Sequence, residues 1–176
     1  HMPFKAVLMA ILISPMIVPL IITAAGMFFF YSKIGLTHTY LGLILAHTAL
    51  GTPFVVITVT ATLTGFDTNL IRASQSLGAD TMRTFFKVIM PLILPGVISG
   101  GLFAFITSFD EVVVVMFVGS VEQITIPKQM WAGLRQETSP VILCMATCLV
   151  ALSIALLTTV EMLRRRSERL RGIKHR

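Results

Sequence analysis

Charged side chains are confined to a few short segments of this chain, and four long stretches contain none. The uncharged stretches are residues 6–32, 34–66, 88–109 and 138–160. Each is at least as long as the roughly 20 residues that a helix needs to cross about 30 Å of hydrocarbon. Because backbone polar groups in lipid must be paired within the chain, these stretches are predicted to be helices. The pattern predicts an all-α membrane protein with four transmembrane helices.

The predicted spans follow these stretches closely. They cover residues 4–31, 40–63, 91–109 and 139–160. Pro15 and Pro19 lie within the first span, where proline removes a backbone donor and bends a helix. A kink is therefore expected there, serving either packing or a hinge. In the third span Gly96 and Gly100 are four residues apart, a small-residue pattern that permits close approach of another helix.

The segment 66–90 separates the second and third spans and is charged and compatible with helix. Asp67 can cap a helix that begins directly after it, and Gly78 can end that helix in a left-handed conformation. Asp80 can cap a second short helix that continues to Pro91. The predicted result is two short helices joined at a glycine, at the membrane surface. Such a segment either receives force from a soluble partner or serves as an interfacial anchor.

Composition and charge agree with a membrane location and set the orientation. Hydrophobic residues make up 55% of the 176 and charged residues 12%, about half the charged fraction of a soluble domain. With a cytoplasmic N-terminus, eleven Lys and Arg residues lie in inner segments and three in outer segments. The positive-inside rule then predicts that both termini are cytoplasmic. The basic tail, 161–176, contains no aromatic residue on which a base could stack, and it is predicted to contact anionic lipid rather than nucleic acid.

Three ionisable residues in or next to the spans are candidates for a substrate pathway. His47 lies about two turns inside the second span, where it either serves a functional site or is a neutral imidazole bonded to a neighbouring helix. Asp110 and Glu111 follow the third span directly. If residues 112–118 re-enter the membrane or line a cavity, both carboxylates face that cavity. Otherwise both lie at the outer interface.

Enzymatic motifs are absent from the sequence. No glycine-rich loop followed by Lys is present to hold nucleotide phosphates, and there is no nucleophile elbow or zinc-protease motif. Cys144 and Cys148 lack further ligands nearby, so they are interpreted as small packing residues rather than a metal site. The chain is predicted not to be an enzyme and to carry neither a cofactor nor a metal.

A specific motif lies in the segment between the second and third spans. Arg72-Ala73-Ser74 is followed by three residues, then Gly78, then nine residues and the sequence Val-Ile-Met-Pro at 88–91. This spacing resembles the EAA loop of ABC-importer permease subunits, which has Glu-Ala-Ala, three residues, Gly, nine residues and Ile-x-Leu-Pro. The resemblance extends over nearly the whole chain. GTPFVVITVTATLTGFD, SFDEVVVVMFVG and LRRRSERLRG are most similar to permeases of the spermidine/putrescine group.

The resemblance implies a fold, a function and a set of partners. The fold would be the MetI-like ABC transmembrane type-1 domain, spanning residues 1–176. Family members usually have six spans, so the first two are expected to be missing at the N-terminus, in keeping with the His-Met start. The implied function is that of one permease subunit in the bacterial inner membrane, importing a small, polyamine-like cation. The implied partners are a pair of ATP-binding subunits that hydrolyse ATP, a second permease subunit, a periplasmic substrate-binding protein and membrane lipid.

The resemblance also assigns the residues that would dock against the ATPase. They are Arg72, Ala73, Ser74, Leu77, Gly78 and Ala79. Arg72 replaces the glutamate of the family, which reverses the charge and implies an acidic partner surface. Two other interpretations of the chain stay open at this point. One is a structural or assembly subunit without a pathway of its own, and the other is a fragment of an ion-coupled secondary transporter, which would need charged groups at a discontinuous helix in mid-membrane.

Overall fold

A computed structural model describes residues 4–136 and 140–170, and every regular element within these residues is a helix. In chain order the elements are α1 (Lys5–Ile17), α2 (Leu20–Lys33), α3 (Tyr40–Thr64), α4 (Asn69–Ser76), α5 (Thr81–Thr84), a π-helical turn (Phe85–Ile89), α6 (Met90–Phe109), α7 (Val113–Val118), α8 (Ile126–Gln136) and α9 (Pro140–Leu170). The predicted all-α fold is confirmed for the described residues. Residue 139 of the predicted fourth span and residues 171–176 of the predicted tail lie outside them.

The described residues contain three helices that are long and apolar enough to cross a membrane. They are Tyr40–Thr64, Thr81–Phe109 and Pro140–Thr159. α1 and α2 have 13 and 14 residues, and each is too short to cross a membrane alone. Together they form a fourth candidate span, which is bent by 111°. The region predicted as the first span, 4–31, thus consists of two helices with a sharp bend between them. Beyond the last candidate span, α9 continues as a helix into the predicted tail, as far as Leu170.

The break between α1 and α2 occurs at Pro19 and not at Pro15. Proline disfavours the helical conformation in the residue before it, and Val18 is extended, with φ −73° and ψ 135°. Pro15 lies inside α1 without ending it. Its ring nitrogen cannot donate to the carbonyl of Ile11, but the Ser14 hydroxyl donates to that oxygen instead, at 2.8 Å. The neighbouring serine thus explains why one proline is tolerated while the other turns the chain.

The helix that contains the third predicted span begins before Pro91. α5, the π-helical turn and α6 form one continuous helix from Thr81 to Phe109, so the amphipathic helix after Gly78 and the membrane span are one element. A wider turn precedes the proline, since the Met90 N–H donates to the Phe85 carbonyl five residues back. Such π turns change the local hydrogen-bond register, and this one allows the helix to pass Pro91 instead of ending there.

Two glycines bring α6 into close contact with α3. Gly96 and Gly100 are both buried. A Cβ atom at Gly96 would overlap the Thr62 hydroxyl, and one at Gly100 would overlap the Thr58 hydroxyl and lie 2.7 Å from the Val55 Cα. The close approach that the four-residue spacing predicts is therefore made against α3, and only a residue without a side chain fits at either position.

The short helix α7 packs against α2 and α3 and completes the core. The buried hydrophobic residues of this cluster are Ala24, Tyr31, Ala46, Leu50, Val114 and Val118. The segment also bonds to the start of α3, because the His38 N–H donates to the Val118 carbonyl at 2.8 Å. The end of α7 is thereby fixed beside the first residues of α3, at the opposite end of that 25-residue helix from α4.

Candidate functional site

The segment between α3 and α5 forms a helical joint, defined here as residues 67–84. The Asp67 carboxylate accepts from the Asn69 N–H at 2.9 Å, and α4 begins at Asn69. On the other side of the joint, the Asp80 carboxylate accepts from the Arg83 N–H at 2.7 Å. Each carboxylate satisfies a backbone donor in a first helical turn, where intrahelical partners are lacking. Asp80 is the N-cap of the helix that begins at Thr81, as predicted, whereas Asp67 precedes the N-cap of α4, Thr68, and bonds to the first residue of that helix.

Gly78 ends α4 in the left-handed conformation, with φ +79°. Its N–H donates to the Gln75 carbonyl at 2.9 Å, and the Ala79 N–H donates to the Ser74 carbonyl at 3.1 Å. These two bonds constitute a Schellman motif, which satisfies carbonyls at a helix C-terminus and reverses the chain direction. The predicted glycine joint is present and has a defined geometry.

The joint is also closed by a side-chain contact between its two helices. The Ser74 and Thr84 hydroxyl oxygens lie 2.9 Å apart, and Thr84 is only 3% exposed. Ser74 also donates to the Ile71 carbonyl at 2.8 Å, so Thr84 satisfies both hydroxyls by donating to Ser74. This bond holds α4 at one angle relative to the helix that follows.

The six residues predicted to dock against an ATPase divide into two groups. Arg72, Ala73, Leu77 and Gly78 are exposed, whereas Ser74 and Ala79 are half-buried. Leu77 is 89% exposed, although it is a large apolar residue at the tip of the joint. Packing within the described residues does not account for an apolar side chain this exposed on an ordered turn. Such a side chain is suited to insertion into a partner.

The joint continues directly into the helix Thr81–Phe109, which has 29 residues. At 1.5 Å per residue such a helix is about 40 Å long. Its far end, from Ala104 to Phe109, lines a cavity. A displacement at the joint therefore has an unbroken helical connection to that cavity.

This cavity lies between α3, α6 and the segment that joins α7 to α8, and its volume is about 920 Å³. Its polar lining residues are Tyr40, His47, Thr48, Thr52, Ser108, Glu122, Gln123 and Thr125. The remaining wall is largely aliphatic and aromatic, and includes Leu43, Val55 and Phe105. A large, mainly apolar space with a few polar groups is typical of small-molecule sites.

His47 lies in the wall of this cavity and contacts α6. Its Nδ1 atom is 2.9 Å from the Ser108 hydroxyl, which is the bond to a neighbouring helix that the sequence analysis allows for. His47 also lines the cavity, so the interhelical bond and a place in a pathway are compatible. The bond holds the imidazole at the point where α3 and α6 face the same space.

Asp110 and Glu111 are separated by the fold, contrary to the expectation that both share one environment. Asp110 is exposed and lines a second cavity of about 410 Å³ with residues of α6, α8 and α9. Glu111 is 6% exposed, and its Oε1 atom accepts from the Val114 N–H at 2.7 Å. Glu111 therefore starts α7 and does not line either cavity, since a carboxylate that accepts from the first turn of a helix stabilises that helix.

Several cavity residues were not identified from the sequence. Thr48 and Thr52 lie on the same helical face as His47 and Gly51, and this four-residue repeat of polar and small residues within an apolar span is a usable signal. Glu122 had no such signal. It follows α7 in a loop, and only the packing of that loop against α3 brings it to the cavity.

Metal ligation finds no support among the described residues. Within residues 4–136 and 140–170, no group of three or more His, Cys, Asp or Glu side chains could hold a metal ion. Cys144 and Cys148 are both exposed on α9.

Comparison with protein families gives a match over almost the entire chain. The sequence model of the family described as "Binding-protein-dependent transport system inner membrane component" matches residues 2–169. This range includes the helical joint and the residues of both cavities.

Individual relatives are permease proteins of polyamine transport systems. The chain is 32% identical over 152 residues to the spermidine/putrescine transport system permease protein PotC of Haemophilus influenzae, covering 86% of this chain and 59% of the relative. It is 30% identical to PotC of Escherichia coli K12, covering 85% and 57%. The putrescine transport system permease protein PotI of that strain is 28% identical, covering 78% and 51%. The chain thus spans little more than half the length of these relatives.

A solved structure has a similar fold. A chain of the MetNI methionine ABC transporter in inward facing conformations superposes with a TM-score of 0.72, covering 92% of this chain and 73% of the other. The two sequences are 22% identical, and at this level the likeness concerns the fold alone. The predicted MetI-like fold is confirmed.

Proposed function

The chain belongs to the family of binding-protein-dependent transport system inner membrane components, and we propose that it acts as a permease subunit of an ATP-driven importer. The observation that carries this proposal is the helical joint, which exposes Leu77 and continues without a break into the helix Thr81–Phe109. A loop that only connected two spans would need neither the two capped helices nor the apolar tip. The ATP hydrolysis belongs to a separate subunit.

Coupling would begin where the ATPase receives the joint. Arg72, Ala73, Leu77 and Gly78 form the exposed contact surface, and the positive charge of Arg72 favours an acidic partner. Ser74 and Ala79 are half-buried, and their hydrogen bonds maintain the conformation of the contact surface. When the ATPases close, the joint moves as one body because it is capped and bonded internally. The attached helix then shifts its far end, at Ala104–Phe109, and changes the cavity that it lines.

The substrate would be a small cation of the polyamine type. The relatives described above are named as permease proteins of spermidine/putrescine or putrescine transport systems. In this chain His47 would lie on the substrate pathway at the larger cavity, and Asp110 would attract cations at the smaller one. Glu111, buried beneath α7, would contribute indirectly by holding that helix in place.

The orientation and the remaining partners complete the proposal. The joint and both termini would lie in the cytoplasm, as the distribution of Lys and Arg predicts, and the cavity end of α3 would lie on the periplasmic side. There a substrate-binding protein would deliver the cation. A second permease subunit would supply the other half of the pathway across a bacterial inner membrane.

Leu77 and Val121 provide a matched test of the joint as the docking site. Both side chains are 89% exposed, so replacing either with Ser removes no packing. Leu77 lies in the joint that follows the C-terminal end of α3, and Val121 lies in the loop after α7, near the N-terminal end of α3. The complete transporter is purified from membranes of the native host, its subunits are identified, and ATP-dependent uptake of radiolabelled spermidine is measured in proteoliposomes. Leu77→Ser should reduce ATPase co-purification and uptake by about tenfold, the effect of losing one buried apolar contact, whereas Val121→Ser should retain the ATPase.

The same purified transporter distinguishes the proposed function from the two alternatives, an assembly subunit and an ion-coupled transporter. An assembly subunit without a pathway would retain uptake after Leu77→Ser, and an ion-coupled transporter would take up substrate with no ATPase attached. Either result would contradict the proposal. Labelling of a single cysteine at position 78, in a background where Cys144 and Cys148 are replaced, tests the orientation. A label that reaches this position from the periplasmic side would place the joint away from any ATPase.

A further inference from the structure

Two of the threonine hydroxyls that line the larger cavity, those of Thr48 and Thr52, already donate their hydrogens within α3. The Thr48 hydroxyl donates to the Ile44 carbonyl at 2.7 Å, and the Thr52 hydroxyl donates to the Thr48 carbonyl, also at 2.7 Å. A hydroxyl has one donor and two acceptor positions. Toward the cavity, therefore, both residues offer oxygen acceptors and no donor. Tyr40 and Thr125 add hydroxyls that can serve either way.

Glu122 gives this cavity its negative charge. Among the described residues that line the cavity, it is the only carboxylate, and none of them is Lys or Arg. Its side chain is exposed, so it is available to a ligand, unlike Glu111, which is bonded to the backbone of α7. Glu122 and the threonine acceptors line the same cavity, Glu122 from the loop and the threonines from α3.

The nearest basic residue in sequence is directed elsewhere. The Lys128 ammonium donates to the carbonyls of Ser120 and Gln123, at 2.8 and 3.1 Å. The Gln123 side chain accepts from the Ser120 N–H at 2.9 Å. These bonds tie the loop together on both sides of Glu122. The loop is therefore ordered, and it holds its carboxylate at the cavity without pairing it to Lys128.

A cavity that presents a carboxylate and hydroxyl acceptors, set in a mainly apolar wall, selects for one kind of ligand. The ligand must be positively charged, must donate hydrogen bonds without needing acceptors in return, and must carry an apolar body. A primary alkylammonium ion has all three properties, because the ammonium group has three donors and no acceptor. A neutral alcohol or a carboxylate ligand does not.

We propose that Glu122, together with the hydroxyl oxygens of Thr48 and Thr52, binds one ammonium end of an alkylamine substrate. His47 and Ser108 line the same cavity, and the apolar wall holds the alkyl stem. This inference rests on the proposed function and makes Glu122, rather than the Asp110–Glu111 pair, the principal carboxylate for the substrate. Glu122 is a specificity-determining residue in this assignment.

The charge of Glu122 is tested in the assembled transporter with radiolabelled putrescine as the probe. Glu122→Gln keeps the shape of the side chain and removes its charge. A charge-assisted hydrogen bond contributes enough for its loss to raise KM by about tenfold or more, while the maximal rate and the ATPase content of the complex stay near those of the parent. Glu122→Asp keeps the charge and should recover most of the affinity. An unchanged KM in Glu122→Gln would overturn the assignment.

Thr48 and Thr64 provide a second, matched test. Both are exposed threonines of α3 whose hydroxyls donate to a carbonyl four residues back, at 2.7 Å for Thr48 and 2.9 Å for Thr64. Only Thr48 lines the cavity. Replacement by Val keeps the shape and removes the acceptor. Thr48→Val should raise the KM for putrescine several-fold, and Thr64→Val should leave it unchanged.

The outcomes distinguish this inference from the proposed function. If the parent complex takes up putrescine with ATP and both Glu122→Gln and Thr48→Val behave as the parent does, the subsite is wrong and the permease function stands. If crosslinking shows that a helix of the second permease subunit fills the cavity throughout the cycle, the subsite is also wrong. If the parent complex shows no ATP-dependent uptake of any amine, the proposed function itself fails.

Discussion

The hydroxyl oxygens of Ser74 and Thr84 lie 2.9 Å apart and join two helices across the turn at Gly78. Thr84 is buried and belongs to the helix that reaches the larger cavity, whereas Ser74 belongs to α4, which carries Arg72 and Ala73. The contact surface and the long helix are thus fixed to each other by a side-chain bond. The angle between the two helices therefore depends on Ser74 and Thr84, and each residue can be substituted separately.

Removal of the Ser74–Thr84 bond should weaken coupling more than assembly. Thr84→Val preserves the shape of a buried side chain and leaves the Ser74 hydroxyl bonded to Ile71, so a loss of about 1 kcal/mol in unfolding free energy is expected. With the joint loosened, the amount of substrate imported per ATP hydrolysed should fall while the ATPase stays attached. Uptake and phosphate release, measured together in proteoliposomes, give this ratio.

Ser76 provides the control for this prediction. The Ser76 hydroxyl donates to the Arg72 carbonyl at 3.0 Å within α4 and makes no bond to α5. Ser76→Ala should leave the ratio unchanged, while Ser74→Ala should lower it. In a double-mutant cycle, Ser74→Ala and Thr84→Val should not be additive, because both remove the same bond. Full additivity would show that the two hydroxyls act independently.

Substitution of Gly78 should disrupt the joint through its backbone. At φ +79° a residue other than glycine lowers the free energy of unfolding by about 1–2 kcal/mol, because its Cβ is crowded in the left-handed conformation. Gly78→Pro also fixes φ near −65° and deletes the N–H that donates to Gln75. The Pro variant should insert into the membrane at normal levels yet lose ATP-dependent uptake. Fluorescence of a C-terminal tag measures insertion, and uptake is measured in the same cells.

Gly65 allows the backbone effect at position 78 to be isolated. Neither glycine has an atom within 4 Å of an added Cβ, and only Gly78 has a positive φ. Gly65→Ala should therefore be nearly neutral and Gly78→Ala destabilising. Gly78→Asn should fall between them, since Asn tolerates the left-handed conformation better than other residues. Equal effects of the two Ala substitutions would mean that conformation does not limit position 78.

Adjacent glycines in α6 should respond in opposite ways to the same change. A Cβ at Gly100 would collide with α3 at Thr58 and Val55, whereas a Cβ at Gly101 meets nothing within 4 Å. Gly100→Ala should lower the free energy of unfolding by about 1–3 kcal/mol through overpacking. Gly101→Ala should be neutral or slightly stabilising, because alanine favours helix over glycine. Thermal unfolding of the complex in detergent distinguishes them, and equal melting temperatures would contradict the close packing of α3 and α6.

Glu111 should prove to be a structural residue. Its carboxylate caps α7 from a buried position, so Glu111→Ala should destabilise the protein by about 1–3 kcal/mol. Glu111→Gln retains a side-chain oxygen that can accept from Val114 and should recover most of the stability. If uptake falls in Glu111→Gln while the melting temperature is unchanged, the charge itself is required and Glu111 belongs on the pathway after all.

Much of the joint could be read from residue order because its chemistry is local. A helix start at Asp67 or Asp80 depends on a side chain and a backbone N–H two or three residues apart, and the reversal at Gly78 depends on one residue that tolerates positive φ. The membrane character was equally accessible, since it follows from long stretches without charge. Neither inference requires knowledge of what lies beside the segment in space.

Other features arise from contacts between distant segments and were not accessible in this way. Asp110 and Glu111 are neighbours in sequence, and the packing of α7 on α2 and α3 sends one carboxylate to a cavity and buries the other. Glu122 reaches the larger cavity because a loop folds back over α3. Packing between distant segments determined the environment of each of these carboxylates, and that environment cannot be deduced from the chemistry of the side chain alone.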